Sequence, residues 1–298
     1  MNKLNKGWRK LLGFVLMSVI VLSFMASCSN TNQQPNNNAD ADKGEIKIGY
    51  VNWAECVAVS NLWQVILEDK GYQVELIQLD AAPLFVGLNK GDVDFFMDAW
   101  LPITHETYWN EYKDNLEDYG VWYEGEAKIG VVVPNYVTID SINQLKDEAA
   151  KFDNKIIGID PGAGIMKASE KANESYGLGF EIVQGSEAAM MAAMDKAYGK
   201  NEWIAITGWS PHWMFAKYDL KYLEDPNGDF GEAEELHILA NKDFSSKQAG
   251  VVDVLKKFKM TDAQIGSLEA LINEGMEPKD AAKKWIEDNR DLVEGWLN

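Results

Sequence analysis

Segments with strand periodicity alternate with segments of helical periodicity along this chain. Residues 45–51 alternate apolar and polar side chains, residues 57–70 place apolar side chains at helical spacing, and residues 74–79 form the next strand. A further helix begins at Pro83, and residues 93–97 form a short apolar strand. Strands joined by helices are typical of sheets with parallel strands. The sequence therefore predicts an α/β fold with a mostly parallel sheet.

The same order repeats in the second half, which predicts a second lobe. Residues 155–159 and 203–207 read as strands, with helices at 166–176 and 187–197 between them. A last strand at 235–240 carries the chain back to the first lobe, so the lobes are joined by two hinge crossings. We predict lobe 1 from 44–134 and 236–298, and lobe 2 from 135–235. Clefts between two such lobes are favoured ligand sites.

The N-terminal segment predicts export and a lipid anchor. Basic residues precede an apolar run at 11–25 that is shorter than the roughly 20 residues of a membrane span. The sequence Met25-Ala26-Ser27-Cys28 resembles a bacterial lipobox, so we predict a signal peptide at 1–27, lipidation of Cys28 and a flexible tether at 28–43. The alternative is an ordinary cleaved signal with a chance cysteine. Either way the protein faces an extracytoplasmic space, and lipidation would anchor it to the cell membrane.

Charge and cysteine content exclude several classes of function. A net charge of −19 argues against nucleic acid as a partner. Cys56 has no partner for a disulfide if Cys28 is lipidated, and it reads as a small buried hydrophobe. With three histidines and no Cys-His spacing, neither a metal site nor a cofactor is expected.

Three tryptophans stand where predicted strands meet loops. They are Trp53, Trp100 and Trp209, and ligands of α/β sheets gather outside the carboxyl ends of strands. Aromatic faces hold cations that cannot donate a hydrogen bond. Most of the 11 tryptophans must serve packing, so each of these three could also be a core residue. Together they predict an aromatic cage.

An anion site is predicted beside the cage. Residues 159–166 run from a strand end through a glycine-rich turn into a helix, whose first N–H groups are free to bind a small anion. The turn lacks the pattern of a phosphate loop, and a plain tight turn is an equal alternative. His105 follows Trp100 by five residues and could donate to the same anion, although a lone histidine is more often structural. The combination fits a zwitterion with a quaternary ammonium group.

A hydrolase is the alternative from another class of protein. The segment from Gly208 to His212 has Ser210 after Trp209, but the nucleophile motif requires a glycine where His212 stands. We therefore predict no catalytic residues and no enzymatic activity.

Four segments carry a resemblance to a known family. They are GYVNW at 49–53, DAWLPITH at 98–105, GIDPGAGIM at 158–166 and TGWSPHWMF at 207–215. At these residues, and over essentially the whole mature chain, the protein resembles the glycine betaine/proline betaine substrate-binding lipoproteins of ABC-type osmoprotectant importers. Cys56 departs from the polar residue expected at that position.

The resemblance implies a fold, a ligand and a site. The fold is a two-lobed, periplasmic-binding-protein-like (type II) fold, and the partners are ABC permease and ATPase subunits. The trimethylammonium group would lie in a cage of Trp53, Trp100 and Trp209. The carboxylate would meet the backbone N–H groups of Gly164 and Ile165 and the side chain of His105. We expect a monomer that binds glycine betaine or proline betaine, with choline or carnitine as the alternative ligand.

Overall fold

A computed structural model of the protein describes residues 43–298. The predicted signal peptide, Cys28 and all of the predicted tether except Lys43 lie outside the described residues. Residues 43–298 belong to one compact unit. No helix within residues 43–298 is both long enough and apolar enough to cross a membrane.

Ten strands form two five-stranded sheets in the described part of the chain. The strands are β1 (Glu45–Tyr50), β2 (Gln73–Gln78), β3 (Phe95–Leu101), β4 (Leu116–Val121), β5 (Lys128–Pro134), β6 (Lys155–Ile157), β7 (Glu181–Val183), β8 (Ile206–Ser210), β9 (Leu220–Tyr222) and β10 (Glu235–Asn241). The first sheet has the order β2-β1-β3-β10-β4 and the second β7-β6-β8-β5-β9. We call the parts built on these sheets the first and the second lobe.

Helices cover the sheets. They are α1 (Ala54–Asp69), α2 (Ala81–Lys90), α3 (Glu106–Tyr112), α4 (Gly164–Ser175), α5 (Glu187–Tyr198), α6 (Met214–Lys217), α7 (Phe244–Lys247), α8 (Ala249–Leu255), α9 (Asp262–Asn273), α10 (Pro278–Asp288) and α11 (Arg290–Leu297), with 3-10 helices at Lys113–Asn115 and Ile142–Phe152. The two-lobed α/β fold predicted from the sequence is confirmed.

Strand direction departs from the prediction in both sheets. Strand β1 is parallel to β2 and β3, and β6 is parallel to β7 and β8. In contrast β10 is antiparallel to both of its neighbours, and so is β5. These are the first strands after each crossing, so they enter their sheet from the end at which the parallel strands leave. The expected mostly parallel sheet is therefore a mixed one in each lobe.

The boundary between the lobes also differs from the prediction. Residues up to 134 were assigned to the first lobe, but β5 pairs with β8, with Ile129 opposite Trp209. That assignment is wrong because alternating burial reveals a strand without revealing which strand it pairs with. The first crossing lies between β4 and β5 and the second between β9 and β10. The two crossings touch, since Glu234 N donates to Ala127 O at 2.8 Å.

Local signals explain several helices. Thr261 and Gln264 form a capping box at the start of α9, with Gln264 Oε1 accepting from Thr261 N at 2.7 Å. Pro278 occupies the first turn of α10, where its missing N–H costs nothing. The apolar residues from Trp285 to Trp296 continue at helical spacing beyond α10. The chain instead breaks at Asn289 and continues as α11.

Candidate functional site

A cavity of about 280 Å³, measured with its opening, lies between the lobes. The first lobe contributes Trp53, Glu55, Trp100 and Thr104, and the second contributes Ile129, Ile159, Ala163, Gly164, Ile165 and Trp209. Five of the six predicted ligand contacts therefore line a single space. His105 does not line it.

The three cage tryptophans lie at the start of a helix or near the end of a strand. Trp53 precedes α1, Trp100 lies next to last in β3, and Trp209 lies next to last in β8. Each is at least 94% buried, so its face meets protein and the cavity rather than open solvent. An indole face of this kind attracts a desolvated cation.

Each indole N–H in the cage donates to a carboxylate. Trp53 Nε1 donates to Asp160 Oδ2 at 3.1 Å, Trp100 Nε1 to Asp98 Oδ1 at 3.0 Å, and Trp209 Nε1 to Glu55 Oε2 at 2.8 Å. Each hydrogen bond fixes the orientation of its own indole ring about the side-chain torsions.

The opposite wall of the cavity is the start of α4. The Ala163 side chain cannot cap this helix, and no acid stands in its first turn. The amide N–H groups of Gly164 and Ile165 have no hydrogen-bond partner in the described chain. Free N–H groups at a helix N-terminus attract an anion. The wall therefore complements a carboxylate.

Glycine is required at position 164 by contact between the lobes. A Cβ atom there would collide with the carbonyl oxygen of Thr104, in the first lobe, and would lie 2.6 Å from its Cγ2. Backbone cannot yield as a flexible side chain can. The absence of a side chain thus allows the two lobes to approach at the cavity.

The side chain of His105 packs against Trp53 and Trp100 of the cage. It is fully buried, stacks on Trp53 with ring centroids 5.8 Å apart, and accepts a hydrogen bond from Trp100 N at Nδ1. Burial lowers the pKa of His105 from 6.5 to about 3, so the imidazole is neutral with its proton on Nε2. That Nε2 is buried without a partner in the described chain.

A carboxylate holds the turn between Trp100 and His105 in place. Glu234 is 2% exposed and accepts from the N–H groups of Ile103 and Thr104, both at 2.7 Å, and from the Thr104 hydroxyl. Because Glu234 belongs to the second crossing, the turn that presents Thr104 to the cavity is tied to the hinge.

Two further carboxyl groups lie under the cage. The pKa of Glu55 is raised to about 8, chiefly by burial, with the hydrogen bond from the Trp209 indole opposing the rise and the charge of Glu187 adding to it. Burial also raises the pKa of Asp98 well above its usual value, as does the neighbouring Glu55. The charge of an ionised Glu55 would oppose ionisation of Asp98, so the buried pair does not readily carry two charges.

The geometry of Ser210 and His212 does not support a hydrolase. Ser210 Oγ pairs with the Tyr222 hydroxyl at 2.9 Å, whereas His212 Nε2 pairs with Glu187 at 3.1 Å. His212 Nδ1 accepts from Met214 N, so neither ring nitrogen serves Ser210. In residues 43–298 no group of three or more His, Cys, Asp or Glu side chains could hold a metal ion.

Cys56 is a free, fully buried cysteine on α1, as predicted for a small hydrophobe. Burial raises its thiol pKa well above the ordinary value, which keeps it protonated and unreactive.

Sequence reasoning missed Glu55, Thr104 and the three apolar or small wall residues Ile129, Ile159 and Ala163. Glu55 stands two residues after Trp53 in the first turn of α1, a position that a search around each cage residue would include. The acceptors Asp98 and Asp160 lie inside the motifs already singled out. The pairing of Asp160 with the Trp53 indole depends on how the lobes meet, which no local pattern encodes.

Several known proteins are similar in sequence to this chain. Residues 44–288 match the family described as the substrate-binding domain of the ABC-type glycine betaine transport system. A relative from Listeria monocytogenes, the glycine betaine/carnitine transport binding protein GbuC, is 37% identical over 164 residues, or 54% of this chain and 55% of that protein. The alignment to GbuC thus spans about half of its length.

Two solved structures have the same architecture. Lactococcal OpuAC, in a closed form complexed with glycine betaine, has a TM-score of 0.81 and 37% identity, covering 86% of this chain and all of the other. An ABC-transporter choline-binding protein in complex with choline has a TM-score of 0.78 and 25% identity, covering 85% of this chain and 91% of the other.

Proposed function

The chain belongs to the family of substrate-binding domains of ABC-type glycine betaine transport systems, and on that basis we propose that its cavity captures glycine betaine. It is a transport protein rather than an enzyme. The observation that carries the choice of ligand is the cavity itself, in which three indoles face an uncapped helix N-terminus. A small zwitterion with a trimethylammonium head and a carboxylate complements both ends.

The cation end supplies much of the affinity. A trimethylammonium group has no N–H to donate, so it gains little from hydrogen-bond acceptors and much from aromatic faces. Each desolvated cation–π contact contributes about 2 kcal/mol, so Trp53, Trp100 and Trp209 together give at most roughly 6 kcal/mol. This estimate supports dissociation in the micromolar range, about −8 kcal/mol, once the anion end is added.

The anion end distinguishes the ligands. We propose that the carboxylate accepts from the N–H groups of Gly164 and Ile165 and from the neutral His105 at Nε2. The support is that all three donors lack partners in the described chain. Choline has no carboxylate and would leave these donors unsatisfied, at a cost of about 1 to 3 kcal/mol each.

Ligand length gives the second distinction. Carnitine adds a hydroxylated spacer between its charges, so it requires a longer distance between the cage and the N-terminus of α4 than glycine betaine does. Proline betaine shares the cation and the carboxylate with glycine betaine and differs in ring bulk, so it remains a second ligand of the same site.

The test is calorimetric titration of the purified protein and of Trp100→Ala with glycine betaine. The variant should bind at least about tenfold more weakly, a loss of about 1.4 kcal/mol, because one of three aromatic faces is gone. Trp109→Ala is the matched control, since Trp109 is a half-buried tryptophan of the first lobe outside the cavity. Equal affinity of Trp100→Ala and the native protein would remove Trp100 from the site, and excess choline should fail to compete.

We further propose that the protein delivers its ligand as a membrane-anchored receptor. Lipidated Cys28 would hold it outside the cell, and the tether at 28–43 would let the lobes reach an ABC permease that is driven by its ATPase subunits. Absence of fatty-acid label from the protein after metabolic labelling would exclude the anchor.

A further inference from the structure

The carboxylates that hold the cage indoles follow a pattern across the two lobes. Trp53 belongs to the first lobe and is held by Asp160 of the second, whereas Trp209 belongs to the second lobe and is held by Glu55 of the first. Trp100 and its acceptor Asp98 both lie on β3. Two of the three anchors therefore exist only where the lobes meet.

We propose that Asp160 and Glu55 are reciprocal positioning residues, each orienting the cage tryptophan of the opposite lobe when the lobes close. This inference rests on the proposed function, because it concerns the cage that would hold the quaternary ammonium group. Trp100, anchored within its own lobe, is in place before closure and receives the ligand first. Trp53 and Trp209 reach their final angles only as the lobes meet.

The surroundings of Asp160 favour this role over a local structural one. An aspartate three residues before the N-cap could support the turn or cap α4, yet α4 has no side-chain cap. Asp160 Oδ2 accepts from the Trp53 indole, and Oδ1 is buried without a partner in the described chain. A carboxylate that leaves one oxygen unsatisfied is unfavourable unless the contact made by the other oxygen matters. The indole of Trp53 is that contact.

The geometry of an indole explains why an anchor is useful. The ring can rotate about its terminal side-chain torsion, which has broad energy minima. Because the indole has a single N–H group, a hydrogen bond to that group favours one of the possible orientations. A hydrogen bond at Nε1 selects the orientation that presents the face to the cavity. Glu55 does the same for Trp209 at 2.8 Å, and it lines the cavity as well.

If Asp160 orients Trp53 only when the lobes close, its loss should change the rate of ligand dissociation rather than the rate of association. Loss of the Asp160 anchor leaves the preformed Trp100 unchanged, so the association rate should be kept. The closed complex should open more readily, which raises the dissociation rate about tenfold for Asp160→Ala. Asp160→Asn keeps an acceptor oxygen without its charge and should restore part of the loss.

The test combines stopped-flow tryptophan fluorescence with indole proton resonances of the full-length protein labelled with ¹⁵N-tryptophan. The Trp53 resonance is identified by its absence in Trp53→Phe. In the native protein glycine betaine should move the Trp53 and Trp209 indole protons downfield, while the Trp100 proton is downfield before ligand is added. Asp160→Ala should abolish the Trp53 movement and keep that of Trp209, and Glu55→Gln should weaken the Trp209 movement.

Asp147→Asn, an exposed aspartate of the second lobe, is the matched control and should behave as the native protein. A Trp53 resonance and a dissociation rate that are native in both Asp160 variants would overturn the inference while leaving the proposed function intact. Choline and carnitine are tested in parallel. A native protein that binds one of them but not glycine betaine would overturn the proposed ligand, and the same Asp160 comparison would be made with the bound amine. Failure to bind any of the three would overturn both.

Discussion

At the scale of single residues, the cage depends on ionisable groups that burial keeps neutral. The His105 imidazole is uncharged because burial lowers its pKa to about 3, and Glu55 holds its proton to about pH 8 for the same physical reason. A neutral imidazole beside a carboxylate seat can still donate from Nε2. A protonated Glu55 beside a cation site can lose its proton and become negatively charged when the cationic ligand binds.

These two shifts predict the pH dependence of binding. Between about pH 5.5 and about pH 8, His105 is already neutral, so it can cause no loss of affinity as the pH rises. Glu55 ionises toward the top of that range and adds negative charge to the wall of the cation site. Affinity for glycine betaine, measured by calorimetry, should therefore rise severalfold with pH.

The variant Glu55→Gln should flatten that rise, whereas Glu75→Gln, an exposed acid of the first lobe, should keep it. A decline of affinity centred near pH 6.5, the ordinary pKa of histidine, would instead mean that His105 binds as an imidazolium. A rise of affinity with pH would thus point to Glu55, whereas a fall would point to His105.

Single residues also mark how far the site could be predicted. Trp53, Trp100, Trp209, Gly164 and Ile165 stand at strand ends or a helix start, where position in an element implies position in the cleft, and the structure places all five around one cavity. Whether these residues contact the ligand stays a prediction. The role of His105 stays a prediction as well, because a spacing of five residues does not say which side of a turn a side chain occupies.

At the scale of elements, the pattern of apolar residues predicted where strands and helices lie better than it predicted which strands pair. Strands β1 and β2 and helix α1 have strong periodicity and were predicted near their true ends. Helix α3 was missed because none of its residues is buried, so it lacks an apolar stripe. Strand β5 was found but was placed in the wrong lobe, since its sheet is decided by hydrogen bonds to β8 and β9.

The start of α4 gives the prediction for this scale. Gly164→Ala adds a methyl group that collides with the Thr104 carbonyl across the lobes, so the closed state is disfavoured. Affinity for glycine betaine should fall at least about tenfold, while the ligand-free melting temperature stays the same, because alanine is a good helix former.

Calorimetric titration and scanning calorimetry on the same sample measure both quantities. Gly295→Ala is the matched control, since this helical glycine in α11 has open space where the methyl group would go. Native affinity in Gly164→Ala would show that the bound protein does not need the contact between Thr104 and Gly164.

At the scale of the whole molecule, polar contacts between the lobes converge on the ends of a few elements. Glu187 of the second lobe accepts from Ala54 N at the start of α1, 2.9 Å away, next to the cage residue Trp53. Tyr108 of the first lobe donates to Gly162 O at 3.0 Å, just before the anion seat. Closure of the lobes is therefore coupled to the arrangement of the cage and of the anion site at the start of α4. A ligand that binds between the lobes stabilises both lobes.

This coupling predicts the thermal unfolding of the complex. Glycine betaine at a hundred times its dissociation constant should add about 2.7 kcal/mol to the free energy of unfolding. For a folded body of this size that corresponds to a rise in melting temperature of about 5 to 10 °C. Because the cavity takes Trp53 and Trp100 from one lobe and Trp209 and Gly164 from the other, both lobes should respond in a single transition. Scanning calorimetry that resolves two transitions, with only one moved by ligand, would place the ligand on one lobe and contradict a site shared between them.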